Sequence, residues 1–376
     1  MKQINKPFNS INDILNFCSE CSEEDFITVD TEFVRTNTFF PKLSLVQIAN
    51  SKKAILIDFI AIKNLDPLLG LFLNENIVKV FHSGRQDLEI FFNLFNKLPK
   101  NIFDTQIASA FLGFEEQISY EKLVLKFCNH KIDKNYQFYD WSIRPLKKPQ
   151  IKYALSDVIY LRKVYSELTK ELDKKNRLNW AKSEFEKLLD PGKYSNNPKS
   201  YWQKLKVKNL TNISIQKLKK LTEWREKKCI SENQPRNYIM NDKKIINLIS
   251  FENPTKNIFS KFGVYNLSKK DEEKILNILN LKEKSSKIKN ITYKKVDLKK
   301  IKQLKYLLKI VSNNSEINES LIATTSDLKS FLKNSSNKKS FFKGWRKVIF
   351  GNYAKKLLEN KLSFEKINDQ IQVKVK

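Results

Sequence analysis

Residues 26–59 read FITVDTEFVRTNTFFPKLSLVQIANSKKAILIDF and contain three β-like runs, at 26–33, 43–49 and 54–59. Polar segments with turn tendency separate these runs, which predicts a three-strand meander. Short apolar runs and amphipathic segments then alternate, which predicts helix 65–73, strand 77–81, helix 86–95, a strand from 102, helices 105–112 and 119–128, and a long helix from about 149 to 174. Three strands followed by strand–helix units predict an α/β layer fold with a mixed sheet.

Two acidic residues lie inside the first of these apolar runs. Side chains alternate along a strand, so Asp30 and Glu32 share one face while Val29, Thr31 and Phe33 point to the other. Two neighbouring carboxylates beside a core repel each other and lose hydration, and a bound divalent cation relieves both costs. The alternative is an edge strand with a solvated face, and this motif alone does not decide between them.

Length and charge indicate a chain of several domains that contacts a polyanion. The 376 residues exceed the roughly 100–200 residues of one ordinary domain. Residues 1–190 carry 27 Lys and Arg against 25 Asp and Glu, whereas residues 191–376 carry 43 against 16. Compositional drift would act on both halves alike, so the basic second half favours nucleic-acid binding.

No apolar stretch reaches the roughly 20 residues of a membrane helix, and the N-terminus shows no signal-peptide pattern. We therefore expect a cytoplasmic protein without a membrane partner. Cys18 and Cys21 form a C-x-x-C, but no second pair or paired histidines complete a zinc site, which favours reduced thiols.

The second half of the chain reads as helical. The turn-rich segment 190–199 (DPGKYSNNPK) marks a domain boundary, and a Lys- and Ser-rich stretch at 282–295 reads as a second linker. Apolar residues recur at helical spacing in 215–224, 244–249 and 274–281, and a last helical portion covers about 297–362. Residues 363–376 read as a frayed basic tail.

Two further elements of the first half carry acidic residues. Tyr153 and Asp157 are four residues apart on the long helix and therefore lie on one face of it. Asp87 lies at a predicted strand-to-helix junction, where ligand-binding groups gather in α/β sheets. Taken singly, Asp87 reads as an ordinary first-turn helix acid and Tyr153 as an ordinary half-buried aromatic.

Together these residues carry a resemblance. D-x-E on the first strand, Asp at a second junction and Y-x-x-x-D on a late helix resemble the DEDDy exonuclease pattern. The runs VDTEFVRTNTFFPKLSLVQIA (29–49), VFHSGRQDLEIFF (80–92), IFDTQIASAFLG (102–113), DWSIRPL (140–146) and YALSDVIYL (153–161) resemble bacterial ribonuclease D. The resemblance spans about residues 25–190 and implies a ribonuclease H-like mixed-sheet exonuclease domain over 1–190.

The same family carries helical HRDC (helicase-and-RNase-D C-terminal) domains. Residues 200–282 resemble one through LTEWR (221–225) and PRNYIMND (235–242). Residues 296–365 resemble a second, degenerate one through LIATTSDL (321–328) and GWRKVIFG (344–351). The expected architecture is one α/β domain followed by two all-α domains.

The resemblance also implies site roles and cofactors. Asp30, Glu32 and Asp157 would hold one divalent ion, Mg²⁺ or Mn²⁺, and Asp30 would bridge to a second ion that Asp87 supports directly or through water. Tyr153 would orient or help deprotonate the attacking water, and orientation suits its ordinary pKa of about 10 better. The implied partner is RNA, in particular tRNA precursors with single-stranded 3′ ends, and the implied product is a nucleoside 5′-monophosphate.

Five further residues are candidates for substrate contact, and each has a structural alternative. His82 precedes Asp87 at a strand end, where a lone histidine is usually structural. Arg85 and Arg144 suit phosphate, but they suit local carboxylates equally well. Gln47 and Trp141 either contact the terminal nucleotides or pack, and His130 has no expected role.

Two alternatives stay open at this point. The same carboxylates would serve a DNA-directed 3′→5′ exonuclease, because nothing in the motif distinguishes a 2′-hydroxyl from a hydrogen. An inactive scaffold that binds nucleic acid through its helical domains is the other alternative, although such a scaffold usually lacks at least one ligand. We expect an active exoribonuclease, and the sequence favours a monomer without establishing the oligomeric state.

Overall fold

The structure is a computed structural model that describes residues 2–3, 6–205, 207, 210–251, 254–265, 267–282, 297–334, 340–367 and 370–375. The chain forms two compact units. The first comprises Met1–Glu32, Leu43–Tyr194 and Thr292–Lys376, and the second comprises Phe33–Lys42 and Ser195–Ile291. The division at 194 falls inside the turn-rich segment 190–199, but the first unit also includes the last portion of the chain.

The first unit is built on a six-stranded mixed sheet. Its strands are β1 (Lys2–Gln3), β2 (Phe26–Val34), β3 (Lys42–Ala49), β4 (Lys53–Asp58), β5 (Val78–Phe81) and β6 (Ile102–Asp104), in the spatial order β1-β4-β3-β2-β5-β6. β3 and β4 pair antiparallel, whereas β2, β5 and β6 form parallel pairs. The neighbours β2, β3 and β4 are the predicted meander, so the mixed α/β sheet expected from the sequence is confirmed.

Eight helices accompany this sheet: α1 (Ile11–Glu20), α2 (Phe59–Ile62), α3 (Asp66–Leu73), α4 (Arg85–Phe95), α5 (Thr105–Ala110), α6 (Tyr120–Cys128), α7 (Lys148–Lys174) and α8 (Leu178–Leu188). Their bounds follow local signals. Asp104 caps α5 and Ser119 caps α6 with side-chain oxygens, and Pro149 lies in the first turn of α7. β3 is buried from Leu43 to Ala49, as expected for a strand covered on both faces.

The second unit is helical. It contains α9 (Asn212–Glu232), α10 (Arg236–Ile239), α11 (Asp242–Ile249), α12 (Ile258–Lys261) and α13 (Lys269–Leu279). Their apolar faces form one core that includes Trp224, Met240 and Ile245. Arg225, fully buried, is satisfied by Glu226, by the Met240 carbonyl and by Asp242.

A ten-residue arm, Phe33–Lys42, belongs to this helical unit although it follows directly on Glu32. Phe39 is 4% exposed within the helical core, and its backbone N–H donates to the carbonyl of Asn233 at 3.2 Å. The Asn233 side chain accepts from the N–H groups of Phe39 and Phe40, both at 3.1 Å. The guanidinium of Arg236 lies 4.8 Å from the centre of the Phe39 ring.

The last portion of the chain packs within the first unit. It contains α14 (Leu298–Ser315), α15 (Glu319–Ile322), α16 (Thr325–Asn334), α17 (Gly344–Arg346) and α18 (Asn352–Leu358), with a π-helical segment at Lys347–Gly351. Trp345 stacks on Trp180 of α8 with ring centres 5.6 Å apart, and Arg346 pairs with Glu184. The helical C-terminal part expected from the sequence is thereby confirmed.

Two predictions concern the end of this portion and the segment before it, the tail at 363–376 and the linker at 282–295. The sequence predicts a frayed tail at 363–376, but two strands, β7 (Leu362–Ile367) and β8 (Gln370–Val375), pair antiparallel there. Apart from Lys282, the predicted linker 282–295 lies outside the described residues. Among the described helices, none has the length and apolar content needed to cross a membrane.

Candidate active site

Three carboxylates converge where β2 and α7 meet. Asp30, Glu32 and Asp157 each offer an oxygen, and these oxygens all lie within 4.8 Å of one another. The Thr28 hydroxyl donates to the Val158 carbonyl at 2.8 Å, which fixes the helix against the strand beside the acids. The strand and the helix therefore bring the two strand acids together with an acid at least 125 positions further along the sequence.

Asp87 approaches the same region from the first turn of α4 but is not one of the three converging ligands. It is 6% exposed, and its carboxylate accepts a 2.5 Å hydrogen bond from the hydroxyl of Thr31, the residue between the two strand acids. Thr31 was not singled out in the sequence, although its place inside D-T-E is a usable signal. This bond anchors Asp87 beside the strand.

The turn before α4 is built to present Asp87. The N–H of Gly84 donates to Asp104 at 2.9 Å, and the N–H of Ser83 donates to the same carboxylate at 3.3 Å. A Cβ at position 84 would come within 2.5 Å of the Phe81 side chain, so only glycine fits there. Asp104 also caps α5, and it thus ties two helix starts together.

Tyr153 stands one helical turn before Asp157, half-buried between two other aromatic rings. Its ring centre lies 5.9 Å from that of Trp141 and 6.0 Å from that of Tyr136. Burial raises the pKa of its hydroxyl, and the negative charges of Asp157, Glu32 and Asp30 raise it further. Tyr153 therefore stays protonated at neutral pH and faces the acidic cluster.

Burial and mutual repulsion dominate the electrostatics of the cluster. Burial raises the pKa of Asp157 to about 8 and that of Asp87 to about 6. The pKa values of Asp30 and Glu32 lie well above their ordinary values, first because of burial and then because of the neighbouring carboxylates. Within the described part of the chain, no ion pair with Lys or Arg neutralises these acids. Hard oxygen donors crowded without a counter-charge fit a divalent cation.

Comparison with known proteins agrees with this geometry. A sequence model of the 3'-5' exonuclease family matches residues 7–173. Ribonuclease D of Bartonella henselae is 37% identical over 365 residues, covering 93% of this chain and 89% of the relative, and that of Zymomonas mobilis is 36% identical, covering 92% of each. The chain belongs to the ribonuclease D family. Its fold matches the crystal structure of Escherichia coli RNase D, described as an exoribonuclease involved in structured RNA processing, with a TM-score of 0.81 and 25% identity, covering 96% of this chain and 98% of that chain.

Membership of the ribonuclease D family confirms the enzyme class expected from the sequence, an exoribonuclease. The relatives align along nearly their whole length, so the match includes the helical part as well as the exonuclease domain.

Of the five candidate substrate contacts, Arg144 forms the most hydrogen bonds within the protein. Its guanidinium forms a two-point ion pair with Asp58, at 2.6 and 2.9 Å. The remaining donors bind the carbonyls of Trp141, Ile143 and Ser44. Every N–H donor of the guanidinium is thus used within the protein, as the carboxylate alternative expects, and phosphate contact by Arg144 stays a prediction.

Gln47 and Trp141 are both buried. They are 0% and 1% exposed, which fits the packing alternative, and nucleotide contact by either residue stays a prediction. The amide of Gln47 and the indole N–H of Trp141 nevertheless have no hydrogen-bond partner within the described residues. The Trp141 ring stacks against the Tyr153 ring and thereby supports its position.

His82 and Arg85 differ in exposure: His82 is partly buried, whereas Arg85 is exposed. The Nδ1 of His82 lies 3.0 Å from the Thr105 hydroxyl, and burial lowers the pKa of the ring. The contact with Thr105 fits the structural alternative for His82, and substrate contact by this residue stays a prediction. Arg85 is exposed at the start of α4, two residues before Asp87, and it remains a candidate for phosphate contact.

Among the described residues, the cysteines of the C-x-x-C belong to no group of three or more His, Cys, Asp or Glu side chains placed to share a metal ion. Cys18, within α1, and Cys21 are free thiols. Burial raises the pKa of Cys18 to about 11 and that of Cys21 to about 12, so both are protonated and unreactive at neutral pH.

Proposed function

We propose that this ribonuclease D family member is a metal-dependent 3′→5′ exoribonuclease of the cytoplasm that trims the single-stranded 3′ ends of tRNA precursors and other small RNAs. The observation that carries the proposal is the convergence of Asp30, Glu32 and Asp157 within 4.8 Å, in a chain that belongs to this family. The basic second half, with 43 Lys and Arg against 16 acids, supports RNA as the partner.

Asp30, Glu32 and Asp157 would hold one divalent ion, Mg²⁺ or Mn²⁺, and Asp87 would support a second ion shared with Asp30. Ions bound there would activate a water molecule and stabilise the leaving 3′ oxygen. Asp87 suits a supporting role because Thr31 already occupies one of its oxygens.

Tyr153 would orient the attacking water rather than deprotonate it, because its raised pKa keeps the hydroxyl protonated. The water oxygen bonds to the terminal phosphorus, and the bond from phosphorus to the 3′ oxygen of the preceding nucleotide breaks. That oxygen takes up a proton, and a nucleoside 5′-monophosphate is released.

The helical parts 200–282 and 296–365 would be HRDC-like RNA-binding domains, with Arg85 contacting the RNA backbone at the site. We propose a monomer, in which one chain supplies all five residues of the site.

The test is a time course on a tRNA precursor with a 3′ tail, in Mg²⁺ or Mn²⁺, with products resolved nucleotide by nucleotide. The proposed function predicts shortening by one nucleotide at a time and release of 5′-monophosphates, and a 3′-phosphorylated precursor serves as the control for end dependence. Faster digestion of a matched DNA strand would favour the DNA-directed alternative. No digestion by a folded protein with either metal would favour the inactive scaffold.

A further inference from the structure

A cavity of about 570 Å³ opens between the loop that follows α6 and the N-terminal half of α7. Tyr153 forms part of its wall, so the cavity adjoins the acidic cluster without including any of its carboxylates. Its volume falls in the range of ~300–1,000 Å³ typical of small-molecule sites. Nothing in the chemistry proposed above uses the other residues around it.

The rim of the cavity is basic. Lys131, Lys148 and Lys152 line it and are exposed, and the described part of the chain contains no ion pair to any of them. The neighbouring Lys134, by contrast, is paired with Glu121. Asp133 is the one acid among the lining residues, and it accepts a backbone hydrogen bond from Asn135 at 2.9 Å. The cavity thus presents a positive charge suited to phosphate.

The walls of the cavity are aromatic. The rings of Tyr160 and His130 stack with their centres 4.4 Å apart and their planes at 20°, so that the two rings together form one aromatic stack in the wall. Tyr136 meets Tyr153 edge-on at 6.0 Å, and it holds the catalytic ring at the boundary of the cavity. Flat rings beside lysines are the combination that proteins use to bind single-stranded RNA, because each base has a face to stack and each linkage has a charge.

We propose that this cavity is a nucleotide subsite that holds one of the last nucleotides at the 3′ end of the RNA. Its base lies against Tyr160 and Tyr136, and its phosphate is bound by Lys131, Lys148 and Lys152. The proposal rests on the exonuclease function proposed above, since Tyr153 belongs to both sites. An acidic peptide would use the lysines but would leave the aromatic walls unexplained.

The charge component is tested by binding. The variant is Lys152→Gln, and the matched control is Lys170→Gln, which removes an exposed lysine from the same helix at a distance of about 27 Å along its axis. Fluorescence anisotropy of a 5′-labelled single-stranded RNA is measured in chelator, so that no cleavage occurs. Lys152→Gln should weaken binding about tenfold, the loss of one charge-assisted hydrogen bond. It should also reduce the salt slope by about 0.7, whereas Lys170→Gln should change neither.

The base component is tested by a second pair, Tyr160→Ala and Tyr160→Phe. Loss of one stacked base is worth about 1–3 kcal/mol, which corresponds to roughly a 5- to 150-fold loss of affinity. Tyr160→Ala should show this loss with an unchanged salt slope, and Tyr160→Phe should retain wild-type affinity. Thermal unfolding of each variant identifies any loss that arises from misfolding.

Wild-type affinity in both Lys152→Gln and a folded Tyr160→Ala would overturn the subsite. A loss in Lys152→Gln alone would also overturn it, because charge without stacking describes a surface patch. These binding results do not depend on cleavage. If the wild-type protein binds RNA as predicted but digests none, the exonuclease function fails while the subsite stands.

Discussion

Replacing Asp157 by asparagine should make the metal-free protein more stable, by an amount that grows with pH. Burial raises the pKa of Asp157 to about 8 in the folded protein, whereas an unfolded aspartate titrates near 4. Between these values the native carboxyl holds a proton that the unfolded chain releases. The stabilisation from this group is therefore complete below about pH 4 and is lost as the pH rises towards 8.

The expected size follows from this window. One proton held by the native state alone lowers the free energy of unfolding by about 1.4 kcal/mol for each pH unit. From pH 5.5 to 7.5 the titration of Asp157 by itself lowers the free energy of unfolding by about 3 kcal/mol, which corresponds to a fall of roughly 5–10 °C in the Tm of the first unit. Asp87, with a pKa of about 6, acts in the same direction below that pH.

The assay is thermal unfolding in chelator at pH 5.5, 6.5 and 7.5. The control is Asp173→Asn, which removes an exposed carboxylate from the same helix. Wild type and Asp173→Asn should lose stability steeply across the series, while Asp157→Asn should lose distinctly less. Mg²⁺ at one hundred times its dissociation constant should restore about 2.7 kcal/mol to the wild type at pH 7.5. Parallel pH profiles for wild type and Asp157→Asn would refute the assignment of this carboxyl as a buried, repelled group.

Three further outcomes follow from the same geometry. Excess chelator, or Glu32→Gln in a protein with unchanged circular dichroism, should abolish RNA digestion, and residual activity under either condition would contradict the metal site. Tyr153→Phe should lower kcat by at least about 100-fold with a nearly constant KM; wild-type single-turnover rates would remove the hydroxyl from the reaction. Thr31→Val should lower kcat/KM by roughly 10- to 100-fold by releasing Asp87, and Thr31→Ser should restore it. Equal rates in the two Thr31 variants would show that this hydrogen bond positions nothing.

Local patterns predicted the parts of this molecule that depend on local rules. Alternation along a strand predicts that Asp30 and Glu32 share a face, and a four-residue spacing predicts that Tyr153 and Asp157 share a helix face. Both predictions need only residues that are close in sequence. The ion pair between Arg144 and Asp58 joins residues 86 positions apart, and the burial of Gln47 depends on the helix that covers its strand. This ion pair and this burial depend on packing between segments that are distant in sequence. The periodicity of apolar residues in a single sequence does not indicate which distant segments pack together.

The limits of the domains show the same distinction. Composition marked the turn-rich segment 190–199, where the structure also divides. The composition does not indicate that Phe33–Lys42 belongs to the helical unit, because two adjacent aromatic residues in a polar loop show neither helical nor strand periodicity. It likewise missed the hairpin formed by β7 and β8, whose basic residues resemble those of a solvated tail.

The arm Phe33–Lys42 has a practical consequence for dividing or recombining this polypeptide. The helical unit is discontinuous in sequence, so a fragment that ends near residue 190 keeps Phe39 and Phe40 but loses the helices that bury them. Such a fragment would expose these apolar side chains on the segment that follows Glu32 in the sequence, and exposed apolar patches favour aggregation. A chimera with another family member must therefore exchange two segments together, residues 33–42 and residues 195–291, because both belong to the helical unit.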